Sequence, residues 1–337
     1  MMNFYKLLFF MSLVVGSLIA ISSYSWLSMW IGLEINLLSI IPLLSDSNNL
    51  FPSESALKYF ITQVMASTIL LFAIISSINF YEFIFTKLDY YWLIIMNSAI
   101  LTKMGAAPFH AWFPEVMEGL NWINCLIMLT WQKLAPMVIL MYNMNMTMFL
   151  STIIVFSSII SGILGLNQVS LRKIMAYSSI NHIGWMIGSM LNSQSIWLMY
   201  FIVYTIITIN IVILFQLTNS FYLKQMFSSF NRDKTLKFFF SMNFLSLGGL
   251  PPFLGFFPKW LTINNLVENK FLTLSVILIL STLITLYFYL RVTFSTLVIN
   301  SSEMIMSPSK PIKFFIVISN FISLAGLVVC TLVFNMI

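Results

Sequence analysis

An all-helical protein set in a lipid bilayer, crossing it about eleven times, is the fold class this sequence predicts. Three observations carry that expectation. Only 8% of the 337 residues are charged against 60% hydrophobic, whereas a soluble domain carries about 25% charged residues to cover its surface. Apolar stretches of about 20 residues, enough to cross roughly 30 Å of hydrocarbon, follow one another from Phe4 to Phe334 with only short polar interruptions. The basic loop residues, finally, sort onto one side of the membrane.

In chain order the expected segments are 4–22, 25–44, 55–80, 90–120 and 123–143, then 147–167, 172–191, 195–217, 236–266 and 271–298, and last 313–335. The first reads as a retained helix, because MMNFYKLLFFMSLVVGSLIAISS lacks both a small-residue cleavage site and an Arg-rich amphipathic leader. With eleven crossings, Lys6, Lys58, Arg172, Lys173, Lys224, Arg232, Lys234, Lys237, Arg291, Lys310 and Lys313 fall on the N-terminal side and only Lys87 and Lys270 on the other. By the positive-inside rule the N-terminus faces the cytoplasm-like compartment, which in a mitochondrion is the matrix.

The fourth and ninth segments are too long, and each is interrupted. The fourth contains Pro108-Phe109-His110-Ala111-Trp112-Phe113-Pro114 and the ninth Pro252-Phe253-Leu254-Gly255-Phe256-Phe257-Pro258, identical at four of seven positions and aromatic at a fifth. Each proline removes a backbone donor and crowds the preceding turn, so both helices are expected to break at membrane depth. The motif stands fourth in each run of five segments. Because five is odd, the second run enters from the opposite face. The expectation is therefore one membrane domain of two inverted five-helix repeats, 1–143 and 147–298, with a C-terminal helix within 311–337. Discontinuous helices at matching places of inverted repeats point to an ion path near the midplane.

Other classes find no support. The formal charge of +6 is scattered over loops rather than gathered into a nucleic-acid-binding stripe. Cys125 and Cys330 are isolated in apolar stretches, so neither a metal site nor an iron-sulfur cluster is expected. No G-x-G-x-x-G follows a strand, and no P-loop is present. The abundance of Phe (32) and Met (23) matches the usage of an A+T-rich, organelle-type genome.

Four charges remain at hydrophobic depth: Glu34 in WIGLEINLLSI, Lys103 in NSAILTKMGAAPF, Lys133 in MLTWQKLAPM and Lys259 in GLPPFLGFFPKWL. A charge at a helix centre costs about 2.5–3.5 kcal/mol on an insertion scale, and such groups usually face a partner or a wet cavity. Snorkelling to an interface is the alternative for Lys103 and Lys259 and fits the mid-helix Glu34 and Lys133 less well. His182 and His110, the latter inside the first break, are candidate carriers between lysines, since a histidine titrates nearer ambient pH than a lysine does. A hydrogen-bonded packing role is the alternative for both. Pairing of Glu34 with Lys103 favours the protonated lysine, and separating them weakens its hold on the proton. Lys133 comes next, with His182 or water leading to Lys259.

Taken together, Lys103 before PFHAWFP, WQKLAP around Lys133, LRKIMAYSSINHIGWM around His182 and SLGGLPPFLGFFPKW around Lys259 resemble the antiporter-like subunits of respiratory NADH:ubiquinone oxidoreductase (complex I), along essentially the whole chain. Longer members have fourteen helices, and the chain resembles the animal form that lacks the first three. The resemblance implies a proton-translocating subunit of the mitochondrial inner membrane. It implies the pairing of Glu34 with Lys103, a connecting role for Lys133 and a channel end at Lys259. Flavin, iron-sulfur clusters and ubiquinone are implied to reside in partner subunits of complex I, with no cofactor in this chain and membrane lipids around it. A self-sufficient Na+/H+ antiporter and a non-conducting scaffold subunit remain the competing readings.

Overall fold

A computed structural model describes residues 4–46, 49–80, 88–230, 234–298 and 320–321. Lys87, Arg232, Lys310 and Lys313 lie outside the described residues, as does the expected eleventh segment apart from helical Asn320 and Phe321. Among the described residues every regular element is a helix, with one isolated antiparallel bridge between Ser170 and Tyr222. The chain divides into two compact units, Met1–Ile153 and Ile154–Ile337.

The first unit contains α1 (Phe4–Ser22), α2 (Trp26–Leu44), α3 (Leu50–Phe80), α4 (Leu88–Met104), α5 (Trp112–Gly119), α6 (Trp122–Leu129) and α7 (Trp131–Met141). Ser25 caps α2, its hydroxyl accepting from the Ser28 amide at 3.3 Å. Helices α1 and α2 pack at close quarters: a Cβ on Gly32 would stand 2.5 Å from the Ala20 backbone nitrogen. Small residues permit such approach where lipid offers helices no hydrophobic drive to associate. Helix α3 starts at Leu50 rather than at 55, because Pro52 falls in the first turn, where its missing N–H would have had no intrahelical partner.

The expected fifth segment, 123–143, is not continuous but parts at Thr130 into α6 and α7. The Thr130 hydroxyl bonds back to the Leu126 carbonyl at 2.7 Å, a contact that bends helices. The Lys133 amide reaches the Thr130 carbonyl at 3.3 Å, and Pro136 has no N–H for the Gln132 carbonyl.

Helix α8 (Thr147–Gly165) leads into the second unit, which holds α9 (Leu171–Met190), α10 (Gln194–Thr218), α11 (Leu223–Phe230), α12 (Lys234–Gly248), α13 (Phe256–Glu268) and α14 (Leu272–Val298). Helix α11 occupies a stretch expected to be loop. Its start is fixed by Gln225, whose Oε1 accepts from the amides of Phe221 and Tyr222 at 2.8 and 3.2 Å, in the manner of a capping box.

Among the described residues, seven spans, Trp122–Met141 counted as one, are long and apolar enough to cross a membrane. The pairs α4/α5 and α12/α13 do not qualify because each is interrupted, and α9 does not because it is too polar. Helix α9 can be polar because it is the most enclosed helix of its unit: every residue from Ser178 to Met190 is buried. Seventeen of its twenty residues never meet lipid, so their hydropathy is not constrained by it.

Candidate functional site

Both proline motifs break the chain in the same local way. Helix α4 ends where Gly105 takes φ +75° and α12 where Gly249 takes φ +76°, the left-handed region that only glycine enters freely. The Ala106 amide then reaches back to the Leu101 carbonyl at 3.1 Å and the Gly105 amide to Thr102 at 3.2 Å. In the second motif the Leu250 amide meets Leu245 at 3.4 Å and the Gly249 amide meets Ser246 at 3.0 Å. Each is a Schellman cap, which satisfies some of the carbonyls a helix end leaves open. A cis peptide follows in both, Ala107–Pro108 and Pro251–Pro252, before the chain resumes as α5 and α13.

In the first unit the cap places Lys103 on the last turn of α4. Its Nζ lies 3.8 Å from Glu34 Oε1 of α2, with the lysine side chain 4% exposed and the glutamate 22% exposed. The expected pair is thus brought together. At that distance it is an ion pair without a direct hydrogen bond, and the buried Glu34 Oε1 has no hydrogen-bond partner among the described residues.

Amides and a phenol that sequence reasoning missed surround the pair. Gln132, adjacent to Lys133, donates from Nε2 to Asn36 Oδ1 at 2.8 Å, tying α7 to the turn of α2 that carries Glu34. Tyr59 of α3 reaches Gln132 Oε1 at 3.5 Å, and Gln63 reaches the Lys103 carbonyl at the same distance. Lys133 itself is buried on α7 with its Nζ 5.3 Å from the centre of the Phe113 ring, close enough for a cation–π contact. His110 sits half-buried in the break, one turn before Phe113, whose amide bonds to the His110 carbonyl at 3.0 Å. The Trp112 indole donates to the Thr102 carbonyl at 3.0 Å, so a motif residue helps close the helix end that carries Lys103.

In the second unit Lys259 is anchored differently. Its Nζ donates to the carbonyls of Gly248 at 2.8 Å and Leu247 at 3.3 Å, the last residues of α12. A cation at a helix C-terminus meets both open carbonyls and the negative end of the dipole. The indole of Trp185 lies 5.8 Å away. Lys259 is buried, 6% exposed, so snorkelling does not describe it. His182 of α9 bonds through Nδ1 to the Tyr200 hydroxyl of α10 at 2.9 Å, and the Tyr204 ring lies 5.1 Å from its own. Among the described residues no group of three or more His, Cys, Asp or Glu could hold a metal ion.

Buried lysines beside broken helices, one of them paired to a glutamate, define an ion-handling membrane protein rather than a soluble catalyst. Residues 23–285 match the model of the NADH:quinone oxidoreductase/Mrp antiporter transmembrane family, and the chain belongs to that family. It is 50% identical over 332 residues to NADH-ubiquinone oxidoreductase chain 2 of Aedes aegypti, covering 97% of each chain. To the protein of that name in Ceratotherium simum it is 40% identical over 288 residues, covering 84% and 83%. Among solved structures, a chain of respiratory complex I from Thermus thermophilus superposes with a TM-score of 0.87 at 22% identity, over 98% of this chain and 79% of that one. A chain of the Mrp complex of Dietzia sp. DQ12-45-1b gives 0.72 at 13% identity, over 83% and 58%. The resemblance read from the four sequence segments therefore holds, and the chain is a multi-pass, antiporter-like membrane subunit.

Proposed function

We propose that the chain is a core membrane-arm subunit of respiratory complex I that translocates protons across the mitochondrial inner membrane. The observation that carries this is the placing of Lys103, Lys133 and Lys259 below 8% exposure with Glu34 beside the first of them. A scaffold would fill these positions with apolar groups at no charge-burial cost. The proton's course is Lys103 paired with Glu34, then Lys133, then His182, then Lys259, with His110 serving the first break. Loosening the Glu34–Lys103 pair leaves a buried lysine without its counter-ion and drives its proton onward. The coupled redox chemistry belongs to partner subunits that bind NADH, flavin, iron-sulfur clusters and ubiquinone.

The same reading takes the chain as eleven crossings in two inverted five-helix repeats, 1–143 and 147–298, followed by a helix within 311–337, with the N-terminus in the matrix. The matching caps and proline motifs of the two breaks support the repeat, and the one-sided basic residues support the orientation.

The test is Lys133→Ala in the assembled complex, measured as protons moved per NADH oxidised. A fall in that ratio, with the chain still in the large NADH-oxidising band of a mild-detergent native gel, is the expected result. An unchanged ratio makes the chain a scaffold, and a chain running as a small species without NADH oxidation makes it a stand-alone antiporter.

A further inference from the structure

His182 and Lys259 are joined in the proposed course by nothing so far named, yet a small cavity of about 10 Å³ opens between their surroundings in the second unit. Its walls include His182, Tyr200 and Tyr204 on one side and Ser246, Leu247 and Pro258 at the broken end of α12 on the other. Leu247 belongs to both places, since it lines the cavity and its carbonyl accepts from Lys259 Nζ at 3.3 Å. Tyr200 also belongs to both: it lines the cavity, is 1% exposed, and its hydroxyl is bonded to His182 Nδ1 at 2.9 Å. The cavity's volume is at the threshold for a single water, which needs about 10–15 Å³ for its centre and two or more polar partners, and the Tyr200 and Ser246 hydroxyls stand on the walls.

We propose that the Tyr200 hydroxyl is the relay between His182 and Lys259, acting through water in this cavity. When His182 holds the extra proton, its Nδ1–H bond breaks as the proton bonds to Tyr200 Oη. The proton already on that oxygen leaves for a cavity water, which gives up a proton of its own to the neutral Lys259 amine. Tyr200 ends neutral, and rotation of its hydroxyl resets it. A hydroxyl both donates and accepts, so it passes a proton without holding charge in a site too dry to favour one. A phenylalanine would pack here equally well, and it is the hydroxyl against the histidine that points to transfer. Tyr204, four residues on, puts a second phenol on the same face of α10 and keeps His182 seated. This inference rests on the proton-translocating reading above.

The experiment uses the assembled complex in liposomes and follows NADH-driven proton movement, its solvent deuterium isotope effect, and NADH oxidation by an artificial acceptor. Tyr200→Phe keeps the ring and removes the relay. It is expected to slow proton movement at least about tenfold, below the hundredfold or more that a positioned proton donor contributes to an isolated step, and to raise the isotope effect while acceptor reduction is unchanged. Val203→Leu adds a methylene at the cavity wall without touching a polar group, and is expected to move both readouts in the same direction. A merely structural Tyr200 leaves the isotope effect where it was. If Tyr200→Phe conducts normally while Lys133→Ala does not, the relay is refuted and the proposed function survives; if Lys133→Ala also conducts, the function itself is refuted. Should Tyr200→Phe fail to assemble, Val203→Leu decides, and unchanged conduction with an unchanged isotope effect overturns the relay.

Discussion

Two neighbouring glycines at the end of α12 provide a strict test of how Lys259 is held. A Cβ on Gly249 would lie 2.7 Å from Lys259 Cδ and 3.0 Å from Nζ, and the residue already sits at φ +76°. A Cβ on Gly248 meets nothing closer than Tyr289 Cδ2 at 3.6 Å, and its backbone is helical. Gly249→Ala therefore imposes a left-handed conformation costing about 1–2 kcal/mol and pushes the lysine chain off the Leu247 and Gly248 carbonyls. Hydrogen bonds to a charged group are worth about 1.5–3 kcal/mol, but the lysine tip can shift, so part of that is recovered. A total of about 2–4 kcal/mol is expected, with Lys259 displaced from its seat. Gly248→Ala should instead be neutral or gain up to about 1 kcal/mol of helix propensity. The assay compares thermal stability of the purified complex in detergent with proton movement per NADH in liposomes. Gly249→Ala should lose both and Gly248→Ala neither. Equal behaviour of the two variants would refute the claim that the cap and the lysine form one unit.

Three further outcomes follow from the first unit. Glu34→Gln leaves Lys103 buried without its counter-ion and should abolish proton movement, while Glu34→Asp, one methylene shorter, should retain part of it; both are read in the same liposome assay. Gln132→Leu removes the 2.8 Å bond to Asn36 and strands a buried amide oxygen, which should cost about 1–3 kcal/mol and lower the melting temperature of the complex more than the double change with Asn36→Leu does. Gly32→Leu, placed where even a Cβ stands 2.5 Å from the Ala20 backbone, should push α1 from α2 and prevent stable assembly, visible as loss of the chain from the large native-gel band.

What could be read in the sequence were the costly features. A lysine in an apolar stretch is conspicuous because lipid makes it expensive, so Lys103, Lys133, Lys259 and Glu34 announced themselves, and Pro108 and Pro252 announced the breaks because proline cannot continue a helix. Cheap features stayed hidden. Asn36 and Gln132, 96 residues apart, look like ordinary amides until the packing of α2 on α7 joins them. Tyr200 reads as one of thirteen tyrosines in an aromatic-rich chain, and only the meeting of α9 with α10 sets it on His182. The parting of α6 from α7 was hidden because it arises from Thr130 and Pro136 acting together six residues apart. The segment expected at 172–191 is helix α9, although hydropathy alone passes over it, since a helix screened by its neighbours need not be apolar.

The two breaks also explain why one lysine needs an acid and the other does not. Aligned on Pro108 and Pro252, Lys103 stands five residues before the first proline, where the second motif has Leu247, while Lys259 stands seven after the second, where the first has Glu115. Lys103, on the last turn of the broken helix, turns to Glu34 of α2 for its counter-charge, while the Trp112 indole takes the Thr102 carbonyl of that helix end. A lysine that enters after the break faces back onto the terminal carbonyls, and Lys259 takes two of them. The first arrangement can be opened by moving Glu34, the acidic partner of Lys103 among the described residues, at 3.8 Å. The second is fixed by backbone and opens only if the end of α12 moves. Conformational coupling should therefore act on Glu34–Lys103. On the proposed course, Gly249→Ala added in the presence of Glu34→Gln should cost no further proton movement, since its step would follow the one already stopped; a further loss in the liposome assay would refute that order.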